Sequence, residues 1–229
     1  MKQSIWKYIF CLLAMFSLFS CSKDKEVNET KPVPESLKGS NYHLLIMDPV
    51  TREKIKDQIA KDYRPNKEAH LVFVWGDSYT PSLCTTKNFY DELQGWRSYI
   101  VGTNGWSAVA FYNTDATGID MTALDDSYVF HIAIKSKDNA THAVRFLGSD
   151  GKLTGFGLGT QPLEGTEPFA DFERNGEWQE IEVPVKYLFD KGLRYDNKIP
   201  QGDMAIFYSG GVTGTSLDID AAFFYKKSN

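Results

Sequence analysis

The sequence predicts an all-β fold, a β-sandwich of the jelly-roll type with one short N-terminal helix. Short apolar or alternating stretches recur along the chain and are separated by Gly, Asn, Asp and Pro, which is typical of strands joined by turns. Aromatic residues, which β-sheets favour, make up 14% of the chain. Only one stretch has helical periodicity, and no repeat of solenoid or propeller length is present.

Residues 1–20 are predicted to be a signal peptide. Lys2 and Lys7 provide a basic start, and the uncharged apolar run at residues 8–19 is too short to span a bilayer but suits a signal-peptide core. The run ends at Ser20 and Cys21, which resembles the lipobox of bacterial lipoproteins. The resemblance implies that Cys21 becomes the N-terminal residue and carries a lipid anchor.

Residues 21–40 are predicted to be a flexible tether, because Lys, Asp, Glu, Pro and Ser dominate and little can be buried. Its charged start, SKDKE at residues 22–26, resembles the export signals of surface lipoproteins in Bacteroides-type bacteria. That resemblance implies attachment to the outer membrane, with the domain on the cell surface.

Residues 41–229 are predicted to form the β-sandwich domain, which begins with a strand-helix segment at residues 42–64. Asp48 is a suitable N-cap, and Pro49 suits the first helical position. Pro65 then ends the helix. The helical face is apolar at every fourth residue, namely Ile55, Ile59 and Tyr63.

The remaining apolar and alternating stretches predict strands. They are expected at residues 42–47, 71–75, 96–101, 106–112, 128–135, 141–147, 153–158, 178–183, 203–208 and 217–225. Strict alternation predicts that Ile181 and Val183 share one face of their strand. In the last strand, Leu217, Ile219 and Ala221 are expected on one face.

The charge of the chain argues against nucleic acid as a partner. The 25 basic and 30 acidic side chains give a formal charge of −5, and loss of the signal peptide would remove Lys2 and Lys7 but no acid. Nucleic-acid binding depends on clustered Lys and Arg, and no such cluster is present. After Cys21, no apolar run approaches the length of a membrane span.

Three stretches resemble the galactose-binding-like jelly rolls that serve as carbohydrate-binding modules. They are WRSYIVG and GWS at residues 96–107, GEWQEIEVPVKYL at 176–188 and SLDIDAAFFY at 216–225. In order and spacing they are most similar to small surface lipoproteins of Bacteroides-type polysaccharide-utilisation systems. The resemblance implies a non-catalytic glycan-binding lipoprotein with an oligo- or polysaccharide as ligand and outer-membrane glycan-uptake proteins as partners.

The densest mixture of aromatic and polar residues lies in two loop-like stretches, and it is the candidate glycan site. Aromatic rings stack on the apolar side of a sugar, while Asn, Asp and Arg bond its hydroxyls. Tyr79 and Tyr90 are expected to be exposed platforms. The alternative for Trp75 and Trp96 is a core position at a strand end. The candidate residues are Trp75, Asp77, Tyr79, Asn88, Tyr90, Trp96 and Arg97.

No metal, cofactor or catalytic centre is predicted. Asp218 and Asp220 could contribute to a calcium site, but calcium needs six or more oxygens, so hydrogen-bonded structural roles are favoured. The His residues lack metal-ligand spacing, and no pair of acids stands out for glycoside hydrolysis. Two other functions stay open: a structural or assembly lipoprotein that binds a partner protein, and a glycoside hydrolase or lyase.

Overall fold

The chain folds as two six-stranded β-sheets packed face to face, which confirms the predicted fold class. The structure, a computed structural model, describes residues 32–66, 68–75, 86–93 and 95–228. The predicted signal peptide with Cys21, most of the predicted tether, and Asp77 and Tyr79 lie outside the described residues. No helix in the described part of the chain is long and apolar enough to cross a membrane.

Sheet A has the strand order β10-β6-β12-β1-β2, and β4 pairs with β12 beside β1. Sheet B has the order β3-β5-β11-β7-β8-β9. The strands of sheet A are β1 (Ser40–Leu44), β2 (Ile59–Asp62), β4 (Arg97–Ile100), β6 (Tyr128–Lys135), β10 (Gln179–Pro184) and β12 (Ser216–Lys226). Those of sheet B are β3 (His70–Trp75), β5 (Trp106–Asn113), β7 (His142–Leu147), β8 (Leu153–Leu158), β9 (Pro168–Ala170) and β11 (Gly202–Gly210).

The main core lies between the sheets and is built from alternate residues of their strands. Its centre is aromatic: the ring of Phe130 lies 4.9 Å from that of Phe146 and 5.0 Å from that of Phe224, between ring centroids. Ile181 and Val183 both point into this core, as their alternation predicted. The inward-facing residues of both sheets are thereby committed to packing, and only the two outer faces are left for other roles.

The last strand contains a bulge that reverses the predicted facing of its second half. Leu217 and Ile219 point into the core, but the pairing of β12 with β6 shifts register between Asp220 and Phe223. Ala221 has a positive φ of 47° and points to the outer face, so Ala222 takes the inward position. The prediction that Ala221 shares a face with Leu217 is therefore wrong, because a bulge adds one residue to the alternation.

The predicted helix is present but shorter than expected. Helix α1 (Pro49–Lys54) begins as predicted, since the carboxylate of Asp48 accepts the backbone N–H of Thr51 at 2.8 Å. The prediction that it continues to Tyr63 is wrong: residues 59–62 form β2, which pairs in parallel with β1. Residues 59–62 form backbone hydrogen bonds with β1, and these bonds stabilise a strand although the apolar residues recur at a helical spacing of four.

The strand-helix segment is part of the sandwich. Its strand β1 lies between β12 and β2, and its register places His43 opposite Phe224. A second helix, α2 (Val185–Asp190), was not predicted. It begins directly after Pro184, where β10 ends at the edge of sheet A.

The packed chain begins before the predicted boundary at residue 40. A 3₁₀ turn (Glu35–Leu37) places Ser36 in the interior, at 1% exposure. The carbonyl of Ser36 accepts the hydroxyl of buried Tyr42 at 3.0 Å, and that hydroxyl accepts the backbone N–H of Gly39 at 2.8 Å. The packed part of the described chain therefore begins at about Pro34.

We expect a chain that begins at Ser40 to be less stable than one that begins at Pro34. The shorter chain lacks Ser36 and Gly39, so the buried hydroxyl of Tyr42 loses both partners, at a cost of about 2 kcal/mol in the free energy of unfolding. Urea unfolding of both chains measures the difference. The Ser36→Ala variant of the longer chain keeps the backbone partner and should lose less, and equal midpoints for the two chains would contradict the revised boundary.

Candidate functional site

The outer face of sheet B carries a group of aromatic side chains. Val72, Val109 and Phe207 point into the core, so their neighbours along β3, β5 and β11 point outward. We call this surface the aromatic sheet face. It comprises Leu71, Phe73, Trp75, Trp106, Tyr112 and Tyr208, together with Arg145 on β7.

Strand register arranges the aromatic residues in rows across the sheet. One row runs from Trp75 through Ala108, Tyr208 and Ala143 to Gly157. Neighbouring strands lie about 4.8 Å apart, so Trp75 and Tyr208 stand roughly 10 Å from each other with alanine between them. Because the side chain of Ala108 is short, the surface between the rings of Trp75 and Tyr208 is a shallow apolar depression.

The next row contains the one cation on the strands of this face. It runs from Phe73 through Ala110 and Ile206 to Arg145 and Gly155. Ala110 and Ile206 form a small cluster with Ala108, against which Trp75 and Tyr208 pack. Arg145 therefore lies beside this apolar floor, one strand from Tyr208.

Several large apolar side chains on the face are open to solvent. Phe73 is 47% exposed, Trp106 is 42% exposed and Leu71 is 37% exposed. The rings of Phe73 and Trp75 pack edge to face, with centroids 5.0 Å apart. Contiguous exposed apolar surface of this kind marks a binding site more often than it marks an idle surface.

The hydroxyl of Tyr208 is the polar centre of the face. Burial raises its pKa, whereas the charge of Arg145 and a hydrogen bond from its guanidinium lower it. Glu164 and Asp203 lie near enough to raise it further. The face thus combines ring surfaces with donor and acceptor groups at its middle.

Of the predicted site residues, the structure places Trp75 on the aromatic sheet face and puts Asn88, Tyr90 and Trp96 elsewhere. These three lie in or beside a loop that covers the outer face of sheet A, on the opposite side of the sandwich. The predicted cluster is therefore not one surface. Contact of its members with a glycan stays a prediction.

Asn88 is only 2% exposed and holds the loop together. Its amide nitrogen donates to the carboxylate of Asp48 at 3.1 Å, and its amide oxygen accepts the backbone N–H groups of Tyr90 and Glu92. All of its polar atoms are engaged in the fold, and this explains its burial.

The expectation that Tyr90 is exposed is wrong. Its ring packs against the cluster around Tyr42 and Phe223, and its hydroxyl lies 3.1 Å from that of Ser36. Burial raises the pKa of this hydroxyl. The polar composition of the loop predicted exposure, but the apolar outer face of sheet A draws its aromatic residues inward.

Trp96 takes the alternative position weighed for it, at a strand end. It is 8% exposed, and its indole N–H donates to the carbonyl of Thr86 at 3.2 Å. The ammonium of Lys135 lies over its ring and over that of Trp178, at 5.1 and 4.6 Å from the centroids. Arg97 is in β4, with its backbone opposite Ile219.

The sequence prediction of the site did not include Phe73, Trp106, Tyr112, Tyr208 or Arg145. The sequence did contain an indication of this face, namely the side chains at alternate, outward-facing positions of β3 and β11. Most outward positions there are aromatic or aliphatic, whereas outward positions of a solvated sheet are usually polar.

The two aspartates weighed for calcium have structural roles, as favoured. Asp218 pairs with Lys135 at 3.4 Å, and buried Asp220 accepts the backbone N–H of Phe89 at 3.1 Å. Among the described residues, no group of three or more His, Cys, Asp or Glu side chains could hold a metal ion.

Two other carboxylates, Glu180 and Glu182, line a depression of about 420 Å³ beside β10. Glu180 lies 3.1 Å from Nε2 of His131, and Glu182 contacts the hydroxyl of Tyr225 and the ammonium of Lys227. Two of these partners, His131 and Tyr225, are on strands of sheet A, so this pair contributes to the packing of that sheet.

No protein-family model matches the chain, and no curated protein matches its sequence. Among solved structures, it is similar to a family 11 carbohydrate-binding module from Clostridium thermocellum in complex with a β-1,3-1,4-mixed-linked tetrasaccharide, at 11% identity over 71% of this chain and 91% of that one, with a TM-score of 0.39. A family 30 carbohydrate-binding module is 11% identical over 69% and 78% of the two chains, with a TM-score of 0.45. An exo-β-agarase is 10% identical over 72% of this chain and 24% of that one, with a TM-score of 0.46. These similarities are distant and concern the fold alone.

We expect Asp220→Asn to change how stability depends on pH. Burial raises the pKa of Asp220 from 3.8 to about 6, so the folded protein binds this proton more tightly than the unfolded chain. Its contribution to the free energy of unfolding is therefore full below about pH 4 and is lost as the pH rises towards 6, by about 3 kcal/mol. Asparagine keeps an oxygen acceptor for Phe89 and does not titrate.

Denaturant unfolding between pH 4 and 8 measures this effect. The stability of Asp220→Asn relative to the parent should rise between about pH 4 and 6 and then level off above pH 6. Asp218→Asn, two residues away and partly exposed, is the matched control for loss of a carboxylate. Parallel pH profiles for Asp220→Asn and the parent would show that Asp220 is not the titrating group.

Proposed function

We propose that the protein is a non-catalytic glycan-binding lipoprotein that binds sugar on the aromatic sheet face. The observation that carries the proposal is the row from Trp75 to Tyr208, in which two rings flank alanine on a sheet face that is partly open to solvent. Arg145 lies in the next row.

Aromatic rings suit a pyranose because its C–H side is apolar and packs on a ring face. Trp75 and Tyr208 both lie on hydrogen-bonded strands, so their backbone positions are set before a ligand arrives. A platform that is already ordered loses little conformational entropy on binding. Exposed Phe73 and Trp106 extend the apolar surface beyond one sugar ring.

Sugar hydroxyls also need hydrogen-bond partners, because leaving them unpaired on burial is costly. The guanidinium of Arg145 supplies donors, and the carboxylate of Asp203 supplies acceptors. The hydroxyl of Tyr208 can do both. These three groups lie near one another, which suits a ligand with an apolar side and a polar edge.

Attachment to the membrane is proposed from the sequence of residues 1–40. The apolar run that ends at Ser20 and Cys21 supports lipidation, and the charged residues that follow support export to the surface of the outer membrane. A glycan-binding domain in that position would serve polysaccharide utilisation by handing glycans to outer-membrane uptake proteins.

We expect Cys21→Ala to abolish lipidation. The lipid is proposed to be attached to the Cys21 thiol, so the variant should not incorporate a fatty-acid analogue and should leave the membrane fraction. Metabolic labelling followed by fractionation tests this. Cys84→Ala, which removes the other cysteine that remains after signal cleavage, should stay labelled, and label on the Cys21→Ala protein would refute the lipobox assignment.

We expect Trp75→Ala and Tyr208→Ala each to weaken glycan binding by about tenfold or more, because each removes a stacking surface. Calorimetric titration with a glycan that binds the parent, identified on a glycan array, gives the affinity. Denaturant unfolding of each variant reports on the fold.

Trp178→Ala is the matched control, since Trp178 is a half-buried tryptophan on the outer side of sheet A. It should lower stability and leave affinity unchanged. Loss of affinity in Trp178→Ala alone would move the site to sheet A. If the parent protein binds no glycan on the array, the proposal is wrong, and a partner protein becomes the expected ligand of the exposed face.

A further inference from the structure

We propose that the aromatic sheet face recognises a largely neutral glycan that carries isolated carboxylates, with Arg145 as the residue that binds the carboxylate. This inference rests on the proposed function and specifies its ligand class. It follows from the position of one guanidinium and from the charges around it.

Arg145 lies on the outer face of sheet B because its neighbours along β7, Val144 and Phe146, point into the core. It is half-buried, at the edge of the apolar floor formed by Ala110 and Ile206. Its register partners across the sheet are Ile206 and Gly155, so a glycine stands on the side away from the rings.

Three other arginines of the described chain pair with carboxylates, whereas Arg194 donates to backbone carbonyls. Arg52 and Arg64 both pair with Asp62, at 2.9 and 2.8 Å, and Arg174 pairs with Asp171 at 3.0 Å. Within the described residues, no carboxylate lies within ion-pair distance of Arg145. The contacts of its guanidinium are the hydroxyl of Tyr208 and, at 3.5 Å, the carbonyl of Leu153.

A half-buried guanidinium with two neutral partners retains donors for a ligand. Arginine presents five N–H donors in a planar fork, and that fork matches a carboxylate with two parallel hydrogen bonds. Lysine or a neutral amide at this position could bond a hydroxyl equally well. An arginine that has no carboxylate partner within the described chain is therefore suited to a ligand that carries a carboxylate.

The charges around Arg145 limit how many acidic groups the ligand can carry. Glu164 and Asp203 both lie near Tyr208, and the whole chain has a formal charge of −5. A dense polyanion would bring its charges close to these carboxylates and would be repelled. A chain of neutral sugars with an occasional uronic acid satisfies Arg145 without that penalty.

The spacing of the groups agrees with this ligand. Arg145 is one strand from Tyr208 and two residues further along, which is about 5 Å across the sheet and roughly 7 Å along it. A sugar stacked on Tyr208 would therefore place a substituent, rather than its own ring, against the guanidinium. Acidic branches and oxidised C6 groups are such substituents.

The test compares one oligosaccharide with and without its negative charge. The probes are glucuronic-acid-branched xylo-oligosaccharide and sparsely de-esterified pectin oligosaccharide, each beside its fully methyl-esterified form, with linear xylan and mixed-linkage glucan oligosaccharides as neutral probes. We expect the parent protein to bind at least one acidic form about tenfold or more tightly than its ester, with the preference falling at high salt.

Arg145→Gln should remove the preference, so that the acid and its ester bind this variant with equal affinity. Arg145→Lys, which keeps the charge and loses the fork, should retain only part of it. Lys152→Gln, which removes an exposed lysine in the turn between β7 and β8, is the matched control and should behave as the parent protein.

The outcomes separate the two proposals. Equal affinity for acid and ester forms, binding of neutral probes alone, or a preference that survives in Arg145→Gln would overturn the inference and leave glycan binding standing. Absence of binding to every probe and to a broad glycan array would overturn both. Melting temperatures of the variants close to that of the parent protein show that any loss comes from the site.

Discussion

The bulge in β12 determines which side chains of sheet A enter the core and which turn outward. This strand pairs with β6 along one side and with β4 and β1 along the other, so its alternation sets that of the whole sheet. At Asp220 and Ala221 two successive residues point outward, and Ala222 and Phe224 can then continue the core. The carbonyl of Ala221, freed from the ladder by the bulge, accepts a hydrogen bond from Nδ1 of His131 at 2.7 Å. The carboxylate of Asp220 is left on the outer face, where it binds the loop at Phe89.

That constraint gives the two outer faces of the sandwich different roles. Outside sheet A, the bulge exposes an apolar strip that includes Phe223 and Tyr225, and the loop at residues 86–93 together with the chain from Pro34 covers it. The aromatic residues of this side are consumed in packing. Outside sheet B, no such cover is present in the described part of the chain, and Phe73 and Trp106 are open to solvent. Of the two faces, sheet B therefore has the aromatic surface that a ligand can reach.

The sequence predicted those features that depend on local pattern. Strands β6 and β8 have the predicted bounds, and Asp48 caps a helix, because strict alternation and capping chemistry act within a few residues. The bulge was not predictable, since Ala221 takes a positive φ without the glycine or asparagine that usually marks one. The exposure of Tyr90 was mispredicted for a different reason: Asn88 and Tyr90 have the composition of an exposed loop, but contacts with distant Asp48 and Ser36 hold this loop against sheet A. Of the predicted site residues that the structure describes, only Trp75 lies on the aromatic sheet face. It occupies an outward position at the end of β3.

A flat sheet face sets the kind of binding that the proposed lipoprotein could achieve. Pockets enclose most of a small ligand, whereas an open face covers one side of a glycan chain, so each site gains less from buried area and few hot-spot contacts dominate. Rigid strands offset part of this, since Trp75 and Tyr208 need no ordering, and Arg145 adds discrimination more than affinity. The remaining gain would come from the proposed lipid anchor. Many copies held on one surface meet a polymer with repeating sites, and each contact then raises the effective concentration for the next. A weak face on a tethered domain can thus retain a polysaccharide firmly and still release individual segments to a neighbouring protein.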